Sequence, residues 1–176
     1  MSLRPDALRV ALLLASLAAT SAELTAQQLD SAPLLRGPTA GVALDRFLAD
    51  GGAGVTAVSL RITALNPGGF GVDFAAGTYL PALADGVVLL GMDLGPAYNL
   101  AGVNATRLLK LGASTIIADG GGALWGGYVG AGLIARAGGR LGIRCDIVKR
   151  LYIVPGWGPG TIWTVSFGLT SLRAGS

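Results

Sequence analysis

The chain has 176 residues, 52% of them apolar and only 13% charged, with 29 glycines, no histidine and a net charge of +3. The length is that of one domain, the charged fraction is about half the usual ~25% and too small to coat an ordinary soluble surface, and the weak positive balance excludes a nucleic-acid binder. The missing histidine removes the commonest general base and metal ligand together, and no metal cluster, Ser-His-Asp arrangement or cofactor set can be assembled from the remaining residues.

Residues 1–22 have the anatomy of a secretory signal peptide. Arg4 and Arg9 precede an apolar stretch from Val10 to Ala19, and Thr20-Ser21-Ala22 offers a small-x-small cleavage site, with an alternative end at 26. An uncleaved anchoring helix is the competing reading of the same residues. A polar N-terminal segment follows over 23–35.

From 36 to 172 the chain divides into eight segments near 36–46, 54–65, 70–80, 86–97, 106–118, 123–136, 140–153 and 161–172, separated by Gly, Pro, Asn or Asp. Their lengths suit tilted membrane strands of about 9–11 residues with short extensions, whereas no internal apolar run reaches the roughly 20 residues of a spanning helix. The first segment is ambiguous, because 40–48 also fits an amphipathic helical turn.

Alternation is clearest in the second segment. Val58, Leu60 and Ile62 point to one side and Ser59, Arg61 and Thr63 to the other, because successive strand side chains face opposite sides. The split recurs downstream: Leu109 and Leu111 oppose Lys110, Leu141 and Ile143 oppose Arg144, and Val165 and Phe167 oppose Ser166. A soluble barrel would turn the oil inward and carry many Lys and Glu outside. Here the polar face holds about one charge per strand, no Glu and many glycines, so it reads as a small sealed interior with Val58, Leu60, Ile62, Val165 and Phe167 facing lipid.

The inward charges are Arg61, Asp73, Asp93, Lys110, Arg136, Arg144 and Asp146. In a lumen just wide enough for side chains they are expected to form an ion-pair network, since unpaired charges there would be costly. Phe70, Tyr79, Trp125, Tyr152 and Trp163 lie near strand ends, as an aromatic girdle at the lipid boundary would. Cys145, the one cysteine, falls in the apolar phase and reads as a small hydrophobe. The tight turns Asn66-Pro67-Gly68-Gly69 and Ala137-Gly138-Gly139 fall on one side of an eight-strand barrel, the periplasmic side if both termini are there.

Arg140-Leu141-Gly142-Ile143-Arg144-Cys145-Asp146-Ile147, followed by Trp163-Thr164-Val165-Ser166-Phe167-Gly168-Leu169-Thr170, resembles the last two strands of the OmpA/OmpX-type outer-membrane β-barrel domain family. The resemblance implies an all-β, eight-stranded antiparallel transmembrane up-and-down β-barrel over 36–172, in the cell outer membrane. It would contact the lipid bilayer with its lipopolysaccharide or phospholipid, and be inserted by the outer-membrane assembly machinery that reads the final strand. One departure is that the last strand does not end on an aromatic residue but continues Leu172-Arg173-Ala174-Gly175-Ser176.

The expected function is a structural or envelope-maintenance role without catalysis, with a side-chain-filled lumen and no cofactor. The alternative is a soluble periplasmic lipocalin-like barrel whose oily face encloses a hydrophobic ligand. A membrane-embedded enzyme using Asp73 and Asp93 is a third reading, opposed by the absence of histidine.

Overall fold

The computed structural model describes residues 38–49, 54–100, 105–154 and 158–172. The signal peptide expected at 1–22, the polar segment at 23–35 and the tail beyond Leu172 lie outside the described residues. Eight antiparallel strands close into an up-and-down barrel: β1 Thr39–Ala49, β2 Gly54–Leu65, β3 Phe70–Tyr79, β4 Leu89–Asn99, β5 Ala105–Ala118, β6 Ala123–Gly138, β7 Leu141–Val154 and β8 Gly158–Ser171. A five-residue helix, α1 (Leu80–Ala84), stands between β3 and β4.

Closure is made by β1 and β8, which pair from Gly41↔Thr170 to Ala49↔Ile162. Every strand therefore has two neighbours, and no open edge remains to be satisfied by water or by another chain. The start of β1, the end of β8, the turn at 66–69 and the turn at 138–140 share one end of the barrel, called the terminal end below. The opposite end, called the mouth below, carries α1 and the 119–122 turn.

Local chemistry sets the connections. Asn66 accepts from the Gly69 N–H at 2.9 Å through its carbonyl and from the Phe70 N–H at 3.0 Å through its side chain, and Gly69 takes φ +81°. That conformation suits glycine and closes the hairpin tightly. Pro81 stands in the first turn of α1, and Gly86 at φ +76° follows its C-cap, Asp85.

The fourth strand consequently begins at Leu89 rather than at 86, as the sequence suggests. The first segment is a strand rather than a helical turn, shifted to 39–49, and it places Ala43, Asp45 and Phe47 inside. Close strand approach also explains part of the glycine content. A Cβ on Gly95 would lie 2.0 Å from the Leu111 carbonyl oxygen, and one on Gly112 2.2 Å from that of Leu94.

Candidate functional site

Polarity is inverted relative to a soluble protein. Outward positions of the strands carry exposed Val42, Leu44, Leu60, Leu94, Leu111 and Phe167, whereas the charged side chains of the strand centres are buried inside. Leu60 is 46% exposed and its neighbour Arg61 only 1%. Ile62 is also exposed, and Val58 and Val165 occupy outward positions with intermediate exposure. Burying charge while exposing oil is unfavourable in water and favourable when the outer surface meets hydrocarbon. The lipocalin-like alternative, with the oily face of the strands enclosing a hydrophobic ligand, does not match this arrangement, because that face is turned outward.

The interior is layered along the axis. At the terminal end Leu65, Ala97, Leu108, Ile134 and Leu172 pack together and close the lumen with apolar side chains. The expectation of a polar or glycine-lined inner face fails here, because Leu108 and Ile134 occupy inward positions.

Above this seal lies an ionic belt drawn from five strands. Asp146 is its centre: its carboxylate meets Lys110 at 2.5 Å, Arg144 at 2.7 Å and Arg61 at 3.3 Å. Asp73 joins Arg144 at 2.7 Å and Lys110 at 3.3 Å, and Asp45 joins Arg61 at 2.8 Å. Ser166 accepts from Arg61 at 2.7 Å, and Thr63 bridges Arg144 and Asp73. Three guanidinium or ammonium groups thus face three carboxylates, so each charge is compensated where water is scarce.

Room for this belt comes from β6. Gly132 pairs with Asp146 across the β6–β7 ladder, and a Cβ there would stand 2.4 Å from the Asp146 carboxylate. A missing side chain on one strand makes space for a charged one on the next.

A second polar pair lies nearer the mouth. Arg150 contacts Asp93 at 2.5 Å and also donates to Thr164, and Ser114 joins Asp93 at 2.6 Å and the Tyr152 hydroxyl at 2.8 Å. Over it the Phe47 and Tyr79 rings meet at a tilt of 40° with 4.8 Å between centroids, and the Arg150 guanidinium lies 5.3 Å from the Phe47 ring.

Of the seven charges expected inside, Arg61, Asp73, Asp93, Lys110, Arg144 and Asp146 lie there, divided between these two groups. Arg136 does not: it is exposed at the terminal end of β6, where the β6–β7 register shifts between Arg136 and Gly138. Its strand phase is inward, but the wall ends before the side chain is enclosed. Asp45 and Arg150 belong to the buried set and were not anticipated. Asp45 sits in the segment whose strand character was ambiguous, and Arg150 continues the inward phase of Arg144 and Asp146 four residues further along β7. The phase of β7 was a signal that could have found it.

The aromatic residues divide as well. Phe70, Trp125 and Trp163 are exposed on the outer face, and Phe70 pairs with exposed Tyr98 near the terminal end. Tyr79 and Tyr152 are buried inside instead, 8% and 3% exposed, because each has the same strand parity as an inward charge, Asp73 and Arg150 respectively. Nearness to a strand end suggested a girdle, and strand phase overrides it.

Two cations occupy the outer face near the mouth. Arg46 lies across from Val165 but runs toward the rim, where it donates to the Thr56 hydroxyl at 2.9 Å beside Gly54. Lys149 lies 5.4 Å from the centre of the Trp163 ring. Long side chains on an apolar wall reach for the polar boundary in this way.

Among the described residues no group of three or more His, Cys, Asp or Glu side chains is placed to hold a metal ion. Asp73 and Asp93 lie in separate ion-paired groups rather than facing each other.

No protein-family model and no curated protein matches the sequence. Solved structures do match the fold. Neisserial surface protein A aligns with a TM-score of 0.56 at 13% identity, covering 77% of this chain and 96% of that one. Ail, the attachment invasion locus protein of Yersinia pestis, aligns with a TM-score of 0.48 at 12% identity, over 78% and 97% of the two chains. A designed transmembrane β-barrel gives 0.48 at 13% identity, over 78% and 98%. The likeness to Neisserial surface protein A is one of fold: this chain folds, like that protein, as a small closed barrel, here of eight antiparallel strands.

Proposed function

We propose that the chain is an outer-membrane β-barrel protein with a structural or envelope-maintenance role and without catalysis, its lumen filled by side chains. The observation that carries this reading is the inverted polarity, with an exposed apolar outer wall around a neutralised ionic belt. Lipid would meet Leu60, Leu94 and Phe167, and lipopolysaccharide or phospholipid headgroups would meet Trp125, Trp163 and Lys149 at the mouth boundary. Residues 1–22 serve as the export signal, and β8 is the strand offered to the assembly machinery. The short turns at the terminal end then face the periplasm. The apolar seal and the balanced belt support the reading of a side-chain-filled lumen.

Fractionation of a Gram-negative host expressing the full chain tests the proposal. The expected result is processed protein in the outer-membrane fraction that resists alkaline washing and is released by detergent. Recovery as a soluble periplasmic protein without detergent would overturn it.

A further inference from the structure

The interior changes character above the Arg150–Asp93 pair. Inward positions at the mouth carry Phe47, Tyr79, Leu89, Ile116 and Ile162, and α1 folds Ala82 in against Phe47, Ala57 and Tyr79. Together they enclose an open cavity of about 740 Å³, within the roughly 300–1,000 Å³ typical of small-ligand sites. Phe47 and Tyr79, whose rings lie tilted at 40° with centroids 4.8 Å apart, line its inner side.

This apolar cup opens at a barrel end, which lies in water if the wall spans a membrane. An apolar concavity open to water is stabilised by an apolar occupant. Asp85, at the end of α1, is the one carboxylate among the cup's described lining residues, and it is exposed. Among the described residues no cation lies within ion-pairing distance of it. Among its described lining residues the cup therefore combines an oily wall with one exposed carboxylate.

We propose that the mouth of the barrel is a binding site for a small amphiphile with an apolar body and a cationic head. The body packs against Leu89, Ile116 and Ile162, and an ammonium or similar group sits beside Asp85. The site is distinct from the ionic belt and does not depend on the envelope role.

The test is methyl NMR of the barrel in phosphatidylcholine nanodiscs, titrated with octyltrimethylammonium and, separately, with octanoate, with empty nanodiscs as the partitioning control. Saturable shifts of the Leu89, Ile116 and Ile162 methyls are expected, with binding of the cation about two- to fivefold tighter than of octanoate, the scale of one exposed charge pair. Asp85→Asn, an exposed and conservative change, should abolish that preference while leaving the shifts. Ala82→Trp should fill the cup and remove them. Shifts that never saturate, or that are equally large at outward Leu94 and Leu109, overturn the site, as does their survival in Ala82→Trp. Equal affinity for octanoate overturns the cationic head. A chain that stays soluble without lipid is titrated in that form, so failure of the membrane reading and failure of the site are separate results.

Discussion

Asp146 touches three cations at once, and this makes it the residue on which the ionic belt depends. Asp146→Asn would leave Arg61, Lys110 and Arg144 facing two carboxylates in a buried site, and loss of one partner of a buried pair costs about 3–5 kcal/mol. Urea unfolding in lipid vesicles should show a loss of that order, and a loss below 1 kcal/mol would mean that the belt is wet or rearranges. Gly132→Ala should also destabilise, because the added Cβ meets the Asp146 carboxylate, whereas Ala131→Gly on the outer face of the same strand should not break the belt. Tyr152→Phe removes one buried hydroxyl contact with Ser114 and should cost about 1 kcal/mol. At this scale the inward charges were legible because each sits in phase between apolar neighbours. Arg136 was misplaced because enclosure depends on where the barrel wall ends, which a single strand's alternation does not contain, whereas Tyr79 and Tyr152 were misplaced because nearness to a strand end was weighed above their inward phase.

Among the elements, β2 shows the clearest division of faces, and its centre offers the sharpest probe of what surrounds the wall. Leu60 lies mid-strand and outward, and Leu48 lies outward near the mouth end of β1. If hydrocarbon covers the wall, Leu60→Arg should cost about 2–4 kcal/mol and Leu48→Arg only about 0–1 kcal/mol. The comparison is made by reversible unfolding in vesicles, and equal small costs at both positions would show that the wall is not covered by lipid. Strand existence and most boundaries could be read from the period-two pattern and the turn residues, as at Asn66-Pro67-Gly68-Gly69. The helix α1 could not, because Leu80-Pro81-Ala82-Leu83-Ala84 is too short to show a helical period; the sequence puts Leu80 in the third strand segment and leaves 81–85 between the third and fourth. Its inward Ala82 and the apolar mouth followed only from the folded arrangement of β1, β3, β4, β5 and β8.

For the whole molecule, the decisive property is closure. The β1–β8 ladder joins residues more than 100 positions apart, from Gly41↔Thr170 to Ala49↔Ile162, and such pairing cannot be seen in any one segment. The eight-segment count and the parity of the short turns made closure the expected outcome, while the layering of the lumen into apolar seal, ionic belt and apolar cup depends on bringing all eight strands together. Closure also has a physical signature, because a barrel with every strand paired and its charges buried must break as a unit rather than fray from an edge. The most direct measurement is gel mobility of the lipid-reconstituted protein in dodecyl sulfate with and without boiling. A closed barrel with a lipid-facing wall stays folded in the cold detergent and migrates differently from the boiled chain; identical migration of the two samples, with strand content lost before heating, would contradict it.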